Sequence, residues 1–368
     1  MPLMDRMMTE IVFELETEPG DSRPVYISGN FNNWRADETS WIMDEVGKGK
    51  FQFRVADSQK LISPIEYKYI RGTWEDVELD VYGNRTPNRR VNPNQEKIMD
   101  YVPRWAAEGK SYPEEYYPEV EVISDDFEIP QLIKTRRIAA ILPHDYYKTE
   151  KRYPVLYLQD GQNLFGKGTG FGTWGVRKKL AVMAEKGMGD IIIIAIDHGG
   201  GERIEEFTPS RPTKIGVGHG KKYSRFLADT LKPHVDNNFR TLSGPENTGI
   251  GGSSMGGLIS LYAGKMYPEV FSKWMIFSPS LWVAPKMKFD PELFQDPFAR
   301  RIFIYAGALE SKKLVDQVFS LEKRLAKLQE DESHQTSVKV HINPEGEHSE
   351  YYWGTVFPIA VEWLFFQK

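Results

Sequence analysis

At 368 residues, with 40% hydrophobic and 13% aromatic residues, the chain is long enough to fill two hydrophobic cores. Its 52 Asp and Glu against 47 Lys and Arg leave a net charge of -5, and the cations are scattered, so the basic footprint of a nucleic-acid binder is missing. Cysteine is absent, which removes thiol catalysis and disulfides, and the seven His residues show no ligand spacing, so neither a metal nor a cofactor is expected.

Residues Met1 to Gly20 carry early acidic residues and no apolar leader. No stretch of about eighteen apolar residues occurs, so no membrane partner is expected, and the reading is cytoplasmic. From Thr9 to Tyr101 short alternating runs, Ile11 to Leu15, Val25 to Ser28, Phe51 to Val55 and Ile65 to Ile70, are separated by Gly, Asn, Asp and Pro clusters. That pattern predicts a small Ig-like β-sandwich over residues 1–102. Within it come Gly29-Asn30-Phe31-Asn32-Asn33-Trp34, then Glu66-Tyr67-Lys68-Tyr69, Thr73-Trp74-Glu75 and Gly83-Asn84-Arg85-Thr86. This ordered set resembles the starch- and glycogen-binding carbohydrate-binding modules. Trp34 and Trp74 would offer flat faces to sugar rings while Lys68 and Asn84 hydrogen-bond hydroxyls, with an α-glucan as partner. Residues 103–117, rich in Pro, Glu and Tyr and without an apolar period, read as a linker.

From Pro118 the rhythm becomes strands alternating with longer helical patterns, so residues 118–368 read as a doubly wound α/β domain. The strands are Arg136 to Leu142, Tyr153 to Leu158, Ile191 to Ile196, Asn247 to Ile250, Trp274 to Phe277, Arg301 to Tyr305 and Val338 to Ile342. Their nearly continuous apolar character suits a sheet covered on both faces. Helical patterns run over Tyr223 to Val235 and Leu314 to Leu328.

Three strand ends carry chemistry. Gly251-Gly252-Ser253-Ser254-Met255-Gly256-Gly257 lies between a strand and a helical run, and only Ser254 occupies the centre of a G-x-S-x-G frame. Glu310 follows the strand ending at Tyr305, and His348 follows the strand ending at Ile342. Serine, acid and histidine in that order match the α/β-hydrolase arrangement: His348 takes the serine proton and Glu310 fixes and stabilises the imidazole. Asp316, or no acid, remains open as the third member. The Met255 amide and an amide from the loop after the Tyr157 strand, at Gln162 with its neighbour Gly161, would form the oxyanion hole.

The segment from Val155 to Phe366 resembles the esterase D and enterochelin-esterase-like α/β-hydrolases. The matching pieces are Val155 to Phe165, the Arg203 loop, Lys232 to Asp236, the elbow, Phe277 to Trp282 and Glu347 to Trp353. The resemblance implies Ser254, His348 and Glu310 as catalytic residues and puts the Asp160-Gly161-Gln162-Asn163 loop on the oxyanion side. Gln159 departs from relatives that have His before the Asp-Gly. On the substrate side Asn163, Arg203, Trp282 and Trp353 are candidates. Arg203 either binds substrate or pairs with Glu205 or Glu206 on the rim, the second being favoured, and Trp174, Trp282 and Trp353 either wall the acyl pocket or belong to the core.

The resulting expectation is a serine carboxylesterase acting on a small-molecule or glycan ester, foremost an acetylated or feruloylated carbohydrate. A siderophore trilactone esterase is the alternative within the same chemistry, since those relatives also carry an N-terminal β domain. A glycan-binding scaffold without activity is the alternative of another class.

Overall fold

The computed structural model describes residues 10–56, 61, 63–289, 294, 298–327 and 336–367. The expected leader-free start, Met1 to Thr9, and the last residue of the Leu314–Leu328 helical pattern lie outside them. Two compact units, Met1–Pro113 and Glu114–Lys368, divide the chain.

The described residues of the first unit form β-strands, with short helical turns at Thr39–Trp41 and Trp74–Asp76. Its strands are β1 (Ile11–Thr17), β2 (Tyr26–Gly29), β3 (Asp44–Gly47), β4 (Lys50–Val55), β5 (Ile65–Ile70), β6 (Glu78–Leu79), β7 (Arg89–Val91), β8 (Lys97–Val102) and β9 (Arg104–Trp105). They form a sheet ordered β3-β4-β1-β8, a second ordered β2-β5-β7, and the pair β6-β9. Alternation decides what is buried: Ile11, Phe13 and Leu15 of β1 point into a core that also receives Ile27, Phe51, Tyr67, Tyr69 and Ile98. The stretch expected as a linker belongs largely to this unit. β9 pairs with β6, Trp105 donates its indole N–H to Thr17 Oγ1 at 2.8 Å, and Ala106 is buried beside Ile70, Val77 and Leu79. A Pro- and Glu-rich composition hid two apolar anchors, so the boundary falls at Pro113 instead of Val102.

The second unit is built on one eight-stranded sheet. After β10 (Glu119–Ile129) and β11 (Lys134–Leu142) come β12 (Val155–Gln159), β13 (Ile192–Ile196), β14 (Thr248–Ser253), β15 (Lys273–Phe277), β16 (Arg300–Gly307) and β17 (Thr336–Asn343), in the spatial order β10-β11-β13-β12-β14-β15-β16-β17. The pairs β10–β11 and β11–β13 are antiparallel and the other five are parallel. β10 is the strand that alternation did not reveal: Glu119, Glu121, Asp125, Asp126 and Glu128 break the apolar signal because it is an edge, half open to solvent.

The helices are α1 (Val176–Glu185), α2 (Arg203–Phe207), α3 (Gly220–Phe226), α4 (Lys232–Asn238), α5 (Met255–Met266), α6 (Lys312–Ala326) and α7 (Glu350–Val361). A wide helical turn at Leu227–Leu231 joins α3 to α4, so the pattern predicted from Tyr223 to Val235 is one continuous helical stretch. Successive sheet residues feed two cores. Ile192, Ile194, Ile196, Trp274 and Ile276 face one that takes in Leu258 and Ile259 of α5, while Ile193, Ala195, Met275 and Phe277 face another that takes in Leu180 of α1 and Val356 of α7. Each fully buried side chain of this size contributes about 2 kcal/mol. Two covered faces leave the carboxyl ends of the parallel strands as the place for a site.

Candidate active site

The turn after β14 sets Ser254. Its φ of 57° and ψ of -121° lie outside the ordinary regions, and Ser254 N–H donates to Phe277 O at 3.0 Å while Ser254 O accepts from Leu258 N–H, which opens α5. The flanking glycines are required by close approach: a Cβ on Gly252 would lie 2.9 Å from Gly256 C, and one on Gly256 would lie 2.8 Å from Asp160 Oδ2. Ser254 lines a cavity of about 530 Å³.

His348, on the loop between β17 and α7, places Nε2 3.2 Å from Ser254 Oγ and Nδ1 2.5 Å from Glu310 Oε2. Glu310 follows β16 and its side chain is 3% exposed, whereas His348 is about half exposed. The other carboxylate oxygen, Glu310 Oε1, accepts from Gly307 N–H at 2.8 Å and from Ser278 Oγ at 2.6 Å. Ser278 Oγ in turn accepts the indole N–H of Trp353 at 2.9 Å, and the Trp353 ring meets the imidazole edge to face at 4.9 Å. One line of hydrogen bonds thus runs from Trp353 through Ser278, Glu310 and His348 to Ser254. An imidazole held between a buried carboxylate and a hydroxyl can take the hydroxyl proton and keep the resulting charge. Asp316 is exposed on α6.

Ser278, with a φ of 40°, is a residue of this chain of contacts that the sequence did not mark. Its segment, Phe277 to Trp282, stood out only as a family-like run, and nothing local announces that its hydroxyl orients an acid 32 residues away.

The loop after β12 folds as a single tight turn, Gly161–Asn163, entered through Asp160 at a φ of 58°. Gly161 packs against β13 so closely that a Cβ would lie 2.7 Å from Asp197 Oδ1 and 2.9 Å from Ala195 C. Gln162 Oε1 accepts from His198 N–H, and Asn163 Nδ2 donates to Glu350 Oε1 at 3.1 Å. Met255 is the first residue of α5 and is buried.

Arg203 does not pair with Glu205 or Glu206. Its guanidinium forks onto Asp160, Nε to Oδ1 at 2.6 Å and Nη2 to Oδ2 at 2.7 Å, while Glu206 belongs to Arg136 and Glu205 to His219. Burial opposes the Arg203 charge, but the hydrogen bonds and charge of Asp160 outweigh it and raise its pKa. Asp160, Arg203, Asn163, Phe171 and Trp353 all line the Ser254 cavity. Glu350 lines it too, and burial raises its pKa above the ordinary carboxylate value; burial likewise lowers that of His198.

The tryptophans separate. Trp353 is 4% exposed and at once core and cavity wall, Trp174 stacks on Phe277 in the core, and Trp282 is 45% exposed beside a second cavity.

In the first unit Trp34 and Trp74 lie together, ring centroids 6.1 Å apart at 46°, with Trp74 Nε1 donating to Trp34 O. Trp74 is 36% exposed, and Trp34 holds a left-handed φ of 58° pinned by its N–H to Gly29 O. Of the two polar partners expected for sugar hydroxyls, Lys68 is half-buried and Asn84 buried, and both hydrogen-bond within their own unit. Lys68 Nζ donates to Thr86 O, Thr86 Oγ1 and Pro87 O, and Asn84 is buried with its amide on Asp80 Oδ2 at 2.8 Å. An ammonium has three donors, and those of Lys68 are used within its own unit.

Among the described residues, one group could hold a cation: His144, Asp145 and Asp190. Both Asp145 oxygens are already engaged, by Lys151 Nζ at 2.6 Å and Tyr153 OH at 2.9 Å, and Asp190 lies before β13, away from Ser254. No helix of the described residues is long and apolar enough to cross a membrane.

A family model described as putative esterase matches residues 130–364. The chain belongs to this esterase family. The esterase is a carboxylic ester hydrolase, and its relatives vary in how much of it they share. The uncharacterized protein YbbA of Bacillus subtilis is 24% identical over 62% of this chain and 92% of its own length. An endo-1,4-beta-xylanase/feruloyl esterase of Xylanibacter ruminicola is 28% identical over 48% of this chain and 23% of that protein. An amylopullulanase of Thermoanaerobacterium thermosulfurigenes is 29% identical over 27% of this chain and 6% of that protein. Among solved structures, the enterobactin esterase FES from Shigella flexneri matches with a TM-score of 0.51 over 96% of this chain and 93% of its own, at 16% identity, a likeness of fold.

Proposed function

We propose that the esterase works through an acyl-enzyme on Ser254 and that its substrate is an acylated carbohydrate, an acetyl or feruloyl ester. Ser254 Oγ attacks the ester carbon as His348 Nε2 takes its proton, and Glu310 stabilises the imidazolium. The amides of Met255 and Gln162, with Gly161 allowing close approach, receive the oxyanion, each worth about 3 kcal/mol in the transition state. The departing alkoxide then takes the proton back from His348, and water repeats the sequence on the acyl-serine. The observation that carries this reading is the continuous contact from Glu310 through His348 to Ser254 at 2.5 and 3.2 Å, with the serine on a strained turn.

The carbohydrate half of the reading rests on the Trp34–Trp74 pair, Trp74 exposed and Trp34 half-buried, whose rings could stack on sugars, and on relatives named for feruloyl esterase and amylopullulanase activity. A trilactone substrate is the second reading, favoured by a fold likeness to an enterobactin esterase that spans nearly the whole chain.

The test is a screen of the full chain against acetylated and feruloylated oligosaccharides and a catecholate trilactone, with Ser254→Ala as control. Turnover of a sugar ester, lost on the order of 10⁴-fold in the variant, is the expected result. Turnover of the trilactone alone overturns the carbohydrate assignment, and an active Ser254→Ala overturns the mechanism.

A further inference from the structure

His348 lines two cavities, and Ser254 lines only one of them. The second, about 370 Å³, is walled by Trp282, Ser280, Leu314, Glu310, Lys214 and Lys313. Its charge differs from that of the first. In the Ser254 cavity the charge of Arg203 is cancelled by Asp160, which leaves the Glu350 carboxyl. In the second the Glu310 carboxylate is taken up by His348, Ser278 and the Gly307 amide, which leaves two ammonium groups. Among the described residues neither Lys214 nor Lys313 makes an ion pair. The Lys214 backbone is fixed beside the tryptophan, its N–H donating to Val283 O at 3.1 Å, and Lys313 sits in the first turn of α6.

Mechanism decides which half of an ester goes where, on the acyl-enzyme reading given above. The acyl carbon becomes bonded to Ser254, so the acyl group occupies the cavity that Ser254 faces. The departing oxygen must receive its proton from His348, the residue the two cavities share. We propose that the second cavity receives the alcohol half of the ester, and that this half is a ring bearing a carboxylate, its face on Trp282 and its charge paired with Lys214 and Lys313. A uronic acid and a hydroxybenzoate share that chemistry. Only the ester C–O bond breaks, and the charge on the ring is a bystander.

The experiment compares two acetates that deliver the same acyl group, 4-acetoxybenzoate and its methyl ester, with O-acetyl glucuronate and O-acetyl glucose as the sugar pair. The ratio of kcat/KM for the anionic over the neutral member is expected to fall at least about fivefold in Lys214→Ala/Lys313→Ala, and to be kept in the double Arg variant. In the wild type the same ratio should fall between about 20 mM and about 500 mM salt, as the Debye length contracts from about 20 Å to about 4 Å. The pair that shows the larger fall identifies the ring. A ratio unmoved by both the Ala substitutions and salt overturns the proposal. So does a lysine-dependent preference for 4-nitrophenyl hemisuccinate over 4-nitrophenyl butyrate, because it would put the acyl half in this cavity. Failure of the underlying mechanism shows separately, as hydrolysis of the neutral acetates by Ser254→Ala.

Discussion

The Ser254 site, marked in the sequence by a serine framed by glycines, and the Trp34–Trp74 pair, marked by aromatic residues among polar ones, use polar groups in opposite ways. Around Ser254 the hydrogen bonds are relayed in one direction, from Trp353 and Ser278 through Glu310 and His348 to a single hydroxyl of a residue that lines a cavity. In the first unit the polar groups close on themselves: Lys68 holds the Thr86–Pro87 loop and Asn84 holds Asp80, while the Trp34 and Trp74 rings lie 6.1 Å apart. The first arrangement suits bond-making at one atom, which needs aligned donors and acceptors. The second uses its donors to hold a loop, and the sugar stacking proposed for Trp34 and Trp74 would depend on ring faces more than on fixed hydrogen bonds.

That contrast is broken most severely at the acid. Glu310→Gln should lower kcat more than about a hundredfold, because a neutral amide neither charges the imidazolium pocket nor fixes the tautomer. Asp316→Asn, exposed on α6, should change it less than about twofold, and steady-state kinetics on a short-chain ester ranks the two. Equal effects would remove Glu310 from its assigned place. In the first unit the expected loss is smaller. Trp34→Ala and Trp74→Ala should each weaken retention of the full chain on insoluble starch by about fivefold, the equivalent of about 1 kcal/mol, without lowering Tm. Lys68→Ala and Asn84→Ala should do the reverse, lowering Tm with retention unchanged, and the opposite pattern would restore these two residues to the binding surface.

The smallest effect concerns Glu350. Its folded pKa is raised by burial, so between the ordinary carboxylate value and the raised one the folded state holds a proton that the unfolded state has released. Stability from this group is therefore present below that window and is lost as pH rises through it. Glu350→Gln should flatten the fall in Tm as pH rises above the ordinary carboxylate value. An unchanged slope would mean that the carboxylate finds compensation in the folded state.

What could be read from the sequence follows the range of the interactions involved. Ser254 was legible because its frame is local: glycines at 252 and 256 are demanded by contacts of under 3 Å within the turn and its neighbouring loop. Glu310 and His348 were legible as the first chemistry after two strong strands. Partners set by tertiary contact were not. Arg203 was assigned to neighbouring glutamates, and it reaches instead across 43 residues to Asp160. Ser278 looked like one more serine in a Ser-Pro-Ser run, and its role depends on α7 bringing Trp353 to its other side. Lys68 and Asn84 sat in a family-like order, but order does not report where an ammonium or amide spends its donors. β10 was hidden by its acids, and the linker by its prolines and glutamates, although Trp105 is tied into the first unit by its indole N–H.

Covalent labelling tests the central claim most directly. Treated with a fluorophosphonate and mapped by peptide mass spectrometry, the full chain should lose ester hydrolysis in step with one equivalent of label on Ser254, and Ser254→Ala should stay unlabelled. Label on Ser253 or on Ser280, whose hydroxyl lies 3.5 Å from that of Ser254, or full activity in a stoichiometrically labelled protein, would contradict the account.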